Sequence, residues 1–351
     1  MRPALKAGLL PVWRDRDTLQ IGIDPRRAIA LSGMRQNAPL ISLLDGSRDR
    51  DQLFAAAARH GIPVTTTERI LTLLAAGGVI DDFPAGTMQA LGPPLRTRLA
   101  PELATASLAH ADASGGAAFL ARRRAAVITI EGERRIGRAI ARILDTAGVG
   151  TVMIGVGAQT ARLAPGLARP ATRARPVVPD QAMAHRPRLA VLVGRPGLDV
   201  PVALVRQRVP HLAVVATEAI GVVGPLVIPG KTACLRCLDY VRAAHDRSWP
   251  LILAQLGSRR PEPVACDAVL AAAVAAQAAA QLLTAIDKAP MASAAANGTL
   301  ELVLPDWRWR RRTWPAHPAC PCAAAGPGRP APYHAPLSRA HRQIADNRDH
   351  E

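Results

Sequence analysis

At 351 residues the chain is long enough for two or three domains with cores of their own, and its 44 Lys and Arg against 27 Asp and Glu give a formal net charge of +17. That charge invites a nucleic-acid reading. Yet only three of the basic residues are lysines (Lys6, Lys231, Lys288), the arginines lie scattered over separate segments and aromatics make up 3%, so a basic stripe interleaved with stacking rings is missing.

The opening MRPALKAGLLPVWRDRDT turns charged after a few apolar residues. It has no basic-then-apolar signal pattern, and we expect an unprocessed, cytoplasmic protein. The longest uncharged run, Ala268 to Ile286, has ten alanines in 19 residues and contains Gln277, Gln281 and Thr284. It is expected to be a buried helix rather than a membrane span.

Residues 1–84 read as one small unit. Val12 to Ile23 is expected to form a hairpin around Asp15 to Asp17, with Leu19, Ile21 and Ile23 alternating on one face, and Arg27 to Met34 to supply a third strand. A helix follows at Pro39 to Leu44, stopped by Gly46. A second starts at Asp49 with Gln52 completing a capping box, and a third starts at Thr65, boxed by Glu68, carrying Ile70, Leu71, Leu73 and Leu74. Three strands and three helices on this scale make a winged-helix-like α+β unit. Residues 85–124, Pro-rich at Leu91 to Pro94 and glycine-containing at 114–116, are expected to be a partly flexible linker.

From residue 125 the pattern becomes α/β. Val127 to Ile130 reads as a buried strand. Ile136, Ile140, Ile143 and Leu144 repeat at helical spacing up to Gly148, and Thr151 to Ile154, Leu189 to Val193 and Leu212 to Ala216 read as further strands. The Ala-rich helix and Thr299 to Leu304 complete a Rossmann-like, doubly wound domain over 125–322. Residues 323–351, rich in Pro, Gly and charge, are expected to be a disordered tail.

Four of the five cysteines form two tight pairs, Cys234/Cys237 and Cys320/Cys322, with 82 residues between the pairs. Two thiolates on each of two loops suit a structural zinc site with four closed ligands. The C-x-C half is the less usual one, which leaves His317 as an alternative ligand; disulfides or chance spacing are the competing readings. Cys266 opens the Ala-rich helix. It reads as a thiol activated by the helix dipole or as a small buried residue, and the adjacent Asp267 opposes thiolate formation.

The segment VITIEGERRIGRAIARILDTAGVGTVMIGVG resembles the opening βαβ unit of the ThiF and MoeB group, the ubiquitin-activating-type adenylyltransferases. The resemblance implies a G-x-G-x-x-G turn cradling nucleotide phosphates and an Asp holding the ribose. Here the turn reads Glu131-Gly132-Glu133-Arg134-Arg135-Ile136-Gly137, and Ile154-Gly155 stands where that Asp belongs. Gly132, Arg134, Arg135 and Gly137 are the residues of this degenerate turn, and its carboxylates would repel a triphosphate. The fold is expected to be kept and ATP not to be used; a rebuilt ATP site and an unrelated doubly wound domain are the alternatives. GPLVIPGKTACLRCLDYVRAAHDRSWPLILAQL resembles the zinc-loop region of ThiF-like proteins from thiazole/oxazole-forming (TOMM) peptide pathways. ACDAVLAAAVAAQAAAQLL is similar to that group's C-terminal helix, and HPACPC to its second zinc pair.

The N-terminal unit, placed before such a domain, resembles the PqqD-like precursor-recognition element. That resemblance implies a leader peptide added as a strand beside the third strand, with the third helix as the other wall. Carried over, the peptide-binding residues are Arg27, Ile29, Leu31, Glu68, Arg69, Leu71 and Thr72. A DNA-reading winged helix is the competing view, but TTTERILTLLAAGG offers one basic residue and no Asn, Gln or Lys. The implied function is a leader-peptide-binding scaffold that presents a ribosomal precursor to a separate YcaO-type, ATP-dependent cyclodehydratase, with no catalytic residue of its own. An active ThiF-type adenylyltransferase and a DNA-binding regulator are the rival functions, and a homodimer is implied by resemblance alone.

Overall fold

A computed structural model describes residues 2–82, 92–111, 113–156, 159–162, 175–176, 188–195, 197, 199–256 and 264–322. The expected tail at 323–351 lies outside the described residues.

The N-terminal unit has the anticipated hairpin. β2 (Pro11–Trp13) pairs antiparallel with β3 (Leu19–Ile21), and β3 with β4 (Ile29–Leu31), giving a small sheet in the order β2-β3-β4. A second, two-stranded sheet joins β1 (Pro3–Leu5) to β5 (Ile80–Asp82). Helices α1 (Pro39–Leu43), α2 (Arg50–Arg59) and α3 (Val64–Ala76) pack on them around Ile21, Met34, Leu40, Leu53, Ile70 and Leu74. The α2 capping box forms: the Asp49 carboxylate accepts from the Gln52 amide at 2.9 Å, and the Asp49 amide donates to Gln52 Oε1 at 3.1 Å. The expected α3 box does not. α3 begins one residue earlier, behind Pro63, with no side-chain cap, and Glu68 pairs with Arg50 at 2.8 Å instead.

Of the stretch expected to be linker, 85–91 and 112 lie outside the described residues; the rest forms most of two packed helices, α4 (Pro93–His110) and α5 (Ala117–Ala125). Leu99, Leu103 and Leu120 form their shared core. Buried polar groups tie them to both neighbours. Toward the N-terminal unit, Lys6 Nζ lies 2.6 Å from the Asp81 carboxylate, and Ser107 of α4 donates to the same carboxylate at 2.8 Å. Toward the larger domain, Arg123 of α5 makes a two-pronged contact with Asp287 at 2.9 and 2.6 Å, and within the helix pair it reaches Glu102 of α4 at 3.0 Å. Charges this deep are tolerated only when paired, so the stretch is a structural joint rather than a tether.

The larger domain is a mixed nine-stranded sheet in the order β14-β13-β12-β11-β10-β6-β7-β8-β9. β6 (Val127–Gly132), α6 (Arg134–Thr146) and β7 (Thr151–Val156) make the anticipated βαβ unit, with β6 parallel to both β7 and β10 (Arg188–Val193). β8 (Gln159–Arg162) and β9 (Arg175–Pro176) extend the β7 edge. On the other side, α7 (Asp199–Arg206) leads to β11 (His211–Thr217), which is followed by the antiparallel β12 (Ile220–Val227), β13 (Gly298–Val303) and β14 (Arg308–Thr313). Between β12 and β13 run α8 (Leu235–His245), α9 (Trp249–Leu256) and α10 (Ala268–Asp287).

By length and composition α10 could cross a membrane, with a mean hydropathy of 1.8. Half of that stretch is buried, with Leu270, Val274, Ala278 and Leu282 packed against the sheet. Gly221 of β12 permits the close approach of this helix: a Cβ there would sit 2.3 Å from Val274 Cγ2.

Candidate functional site

The residues of the expected sites fall in three places. The first is the cysteine cluster. The β12 end turns at Thr232, whose hydroxyl accepts the Ile228 amide at 2.7 Å and donates to the Leu226 carbonyl at 3.1 Å. Asn297 takes the Ala233 amide at 2.8 Å and the Trp314 amide at 2.9 Å, locking this turn to the C-terminal strands. Cys234 then sits at the start of α8 and Cys237 in its first turn, facing Cys320 and Cys322. The sulfurs are 3.8 Å apart for Cys234–Cys237, 3.6 Å for Cys234–Cys320 and 3.5 Å for Cys237–Cys322, and all lie within 4.8 Å of one another.

Four thiolates about 2.3 Å from one tetrahedral ion stand about 3.8 Å apart, so the four buried cysteines fit a metal such as zinc. The hydrogen bond between Cys234 and Cys237 pushes the Cys234 thiol up and pulls the Cys237 thiol down, while burial pushes Cys320 up. A cation in the cluster would favour thiolate at every member. His317 is not among the clustered groups. Its ring stacks on Tyr240 at 4.8 Å and its Nδ1 accepts the Ala319 amide.

The second place is the nucleotide turn, where β6 and β10 part to opposite sides at the switch point of the sheet. Gly132 has φ +107°, and a Cβ there would lie 1.9 Å from the Val193 carbonyl oxygen. Gly137 packs on Ile130, with Cγ2 at 3.2 Å from the position a Cβ would take. These are the outer glycines of the motif, five residues apart. The middle position, where backbone would approach a pyrophosphate, is Arg134, while Glu131 lies within β6.

The feature that sequence reasoning missed is what Glu133 does. Its carboxylate caps α6, accepting the Arg135 amide at 2.6 Å and the Ile136 amide at 2.8 Å. Those N–H groups are the ones a phosphate would take. The available signal was an acid directly before an apolar-periodic helix, the N-cap position. Cys266 lies nearby, half-buried, its carbonyl accepting Arg135 Nη1 at 2.8 Å. Burial pushes its thiol up, with Arg135 pulling the other way, which runs against an activated thiolate.

The third place is the surface where the peptide groove is expected. β4 is the edge of its sheet, with β3 as its partner among the described residues. Ile29 packs on the end of α3, its Cγ2 2.9 Å from where a Gly77 Cβ would stand. Arg69 and Leu73, eight and four residues before Gly77, share that side of the helix. Both are exposed, Leu73 by 45%.

The seven expected residues therefore separate. Ile29 and Arg69 adjoin the β4 side. Glu68, Leu71 and Thr72 instead line a cavity of about 110 Å3 with Pro3, Arg50, Ala75 and Ile80, on the side of α3 facing α2 and the β1–β5 sheet. Leu31 is buried in the core, and Arg27 donates to the Leu108 carbonyl of α4.

With this geometry in view, solved structures can be compared. The heterocyclase TruD matches with a TM-score of 0.62 at 16% identity, over 92% of this chain and 43% of its own. A heterocyclase in complex with substrate and cofactor matches with a TM-score of 0.62 at 14% identity, over 93% of this chain and 40% of its own. E. coli MccB in complex with AMPCPP and MccA matches with a TM-score of 0.60 at 15% identity, over 92% of this chain and all of its own. The chain shares their fold. It spans less than half the length of the heterocyclases and the full length of MccB. No family model matches the chain, and no curated protein does.

Proposed function

We propose that the chain is a leader-peptide-binding partner in azole-forming modification of ribosomal peptides, which holds a precursor and presents it to a separate ATP-using, YcaO-type cyclodehydratase. The fold shared with TruD and MccB supports a place in peptide-modifying biosynthesis. MccB, a microcin C7 biosynthetic enzyme, is solved with N-formylated MccA bound. More than half of TruD has no counterpart in this chain.

In this reading the N-terminal unit is a winged-helix-like recognition element. The open edge of β4 takes the leader as an added strand, satisfying backbone N–H and C=O groups with little demand on sequence. Leu73 and Arg69 select an apolar and an acidic leader residue. Cys234, Cys237, Cys320 and Cys322 hold zinc, which when bound supplies a cross-link between two distant loops and no open coordination position. The chain's contribution is effective concentration and orientation of the precursor rather than bond-making. Reduced thiols suit a cytoplasmic site of action.

The observation that carries the non-catalytic reading is the Glu133 carboxylate lying on the α6 amides, with Arg134 in place of the middle glycine. Calorimetry with Mg-ATP tests it, and titration with precursor leaders tests the groove. One observation favours a second reading, an active adenylyltransferase: MccB, matched over its whole length, is solved with AMPCPP. Tight nucleotide binding would select that reading.

A further inference from the structure

We infer that the outer face of α6 docks an acidic helical segment of a partner protein. Arg134, Arg138 and Arg142 stand four residues apart and so repeat along about 12 Å of one side of the helix. With Glu133, Arg135 and Ala139 they line an open basin of about 640 Å3. All four arginines are exposed. Among the described residues none of them meets a carboxylate: the helix's own acid, Asp145, faces Arg98 at 3.7 Å, and Glu133 gives its oxygens to backbone amides.

The arrangement is unfavourable in the isolated protein. Like charges four residues apart repel, and cations in the first turn oppose the helix dipole. Carboxylates from outside would relieve both. An acidic helix with Asp or Glu at every fourth residue repeats at the same rise of about 6 Å. The neighbouring helix α10 exposes small side chains on its outer side, Ala272, Ala276 and Ala280, with Val269 at its N-terminal end. Nucleic acid fits less well, since the basin contains no aromatic ring on which bases could stack. This surface is separate from the β4 edge, so the inference stands or falls independently of leader binding.

Fluorescence anisotropy on the full chain tests it. The probes are a labelled helical peptide of about 15 residues with Glu at i, i+4 and i+8, the same composition scrambled, duplex DNA, and tripolyphosphate as competitor. We expect the ordered peptide to bind at least about threefold tighter than the scrambled one, in line with a few exposed ion pairs, and to weaken about tenfold when salt rises from about 50 to 300 mM. Arg138→Glu combined with Arg142→Glu should abolish the difference with circular dichroism unchanged, and the neutral pair Arg138→Gln and Arg142→Gln should reduce it. Four results would overturn the inference: no binding of the ordered peptide, equal binding of the scrambled one, no effect of the substitutions, or tighter binding of DNA or tripolyphosphate.

Discussion

Stripping or disrupting the cysteine cluster should unfasten the C-terminal strands from the sheet. The perturbation is Cys320→Ser, or chelation of the native protein. A link joining Cys237 to Cys320 closes a loop of 82 intervening residues. Chain-entropy arguments for a cross-link of that span give about 4–5 kcal/mol of stability. The cluster also organises a buried patch containing Val227, Leu238 and Trp314, so packing adds to the loss. For a domain of this size each kcal/mol moves Tm by about 2–4 °C, and a fall of at least about 10 °C is expected. Metal content by mass spectrometry should be about one zinc per chain, and His317→Ala should retain it because that ring stacks on Tyr240 outside the cluster. A metal-free protein whose Tm ignores both chelator and Cys320→Ser would refute the reasoning.

Three further outcomes follow from the geometry. Arg69→Glu or Leu73→Asp should weaken binding of an acidic leader about tenfold by titration while Glu68→Ala leaves it nearly unchanged, since Glu68 faces Arg50; the reverse ranking would move the groove to the other side of α3. Arg123→Ala leaves Asp287, 2% exposed, without its two-pronged partner, and should cost about 3–5 kcal/mol in urea unfolding. Fully buried His211 donates through Nδ1 to the Val209 carbonyl and has no partner at Nε2 among the described residues, and burial holds its pKa below the ordinary value. The folded form thus resists a proton that the unfolded chain accepts near pH 6.5, so this stability is present above about pH 6.5 and declines as pH falls toward the lowered folded pKa. A Tm that rises on acidification from pH 7 to 5.5 would contradict this sign.

The elements legible in the sequence were those with strong periodicity. β6, α6, β7, β10, β11 and α10 stood out because their apolar residues recur at strand or helix spacing. α4 did not, because its stripe is only Leu95, Leu99 and Leu103, interrupted by Pro101 and followed by glycines at 115 and 116. β14 reads RWRRRT and owes its strand to pairing with β13 rather than to its own pattern. β12 hides behind Gly221, Gly224 and Pro225. The cysteine cluster was legible from spacing alone. The Glu133 cap was not, since a carboxylate beside a phosphate turn can repel a ligand or replace it, and only the hydrogen bonds distinguish the two. The division of α3 likewise depended on where β1 and β5, three residues each, were placed.

The most direct test of the account is calorimetric titration of the zinc-loaded protein with Mg-ATP, alongside the Glu133→Gly, Arg134→Gly double substitution. The account predicts no detectable heat at millimolar nucleotide for the native chain, and measurable binding only once the carboxylate leaves the α6 amides. Micromolar binding by the native chain would contradict it and make the protein an adenylyltransferase.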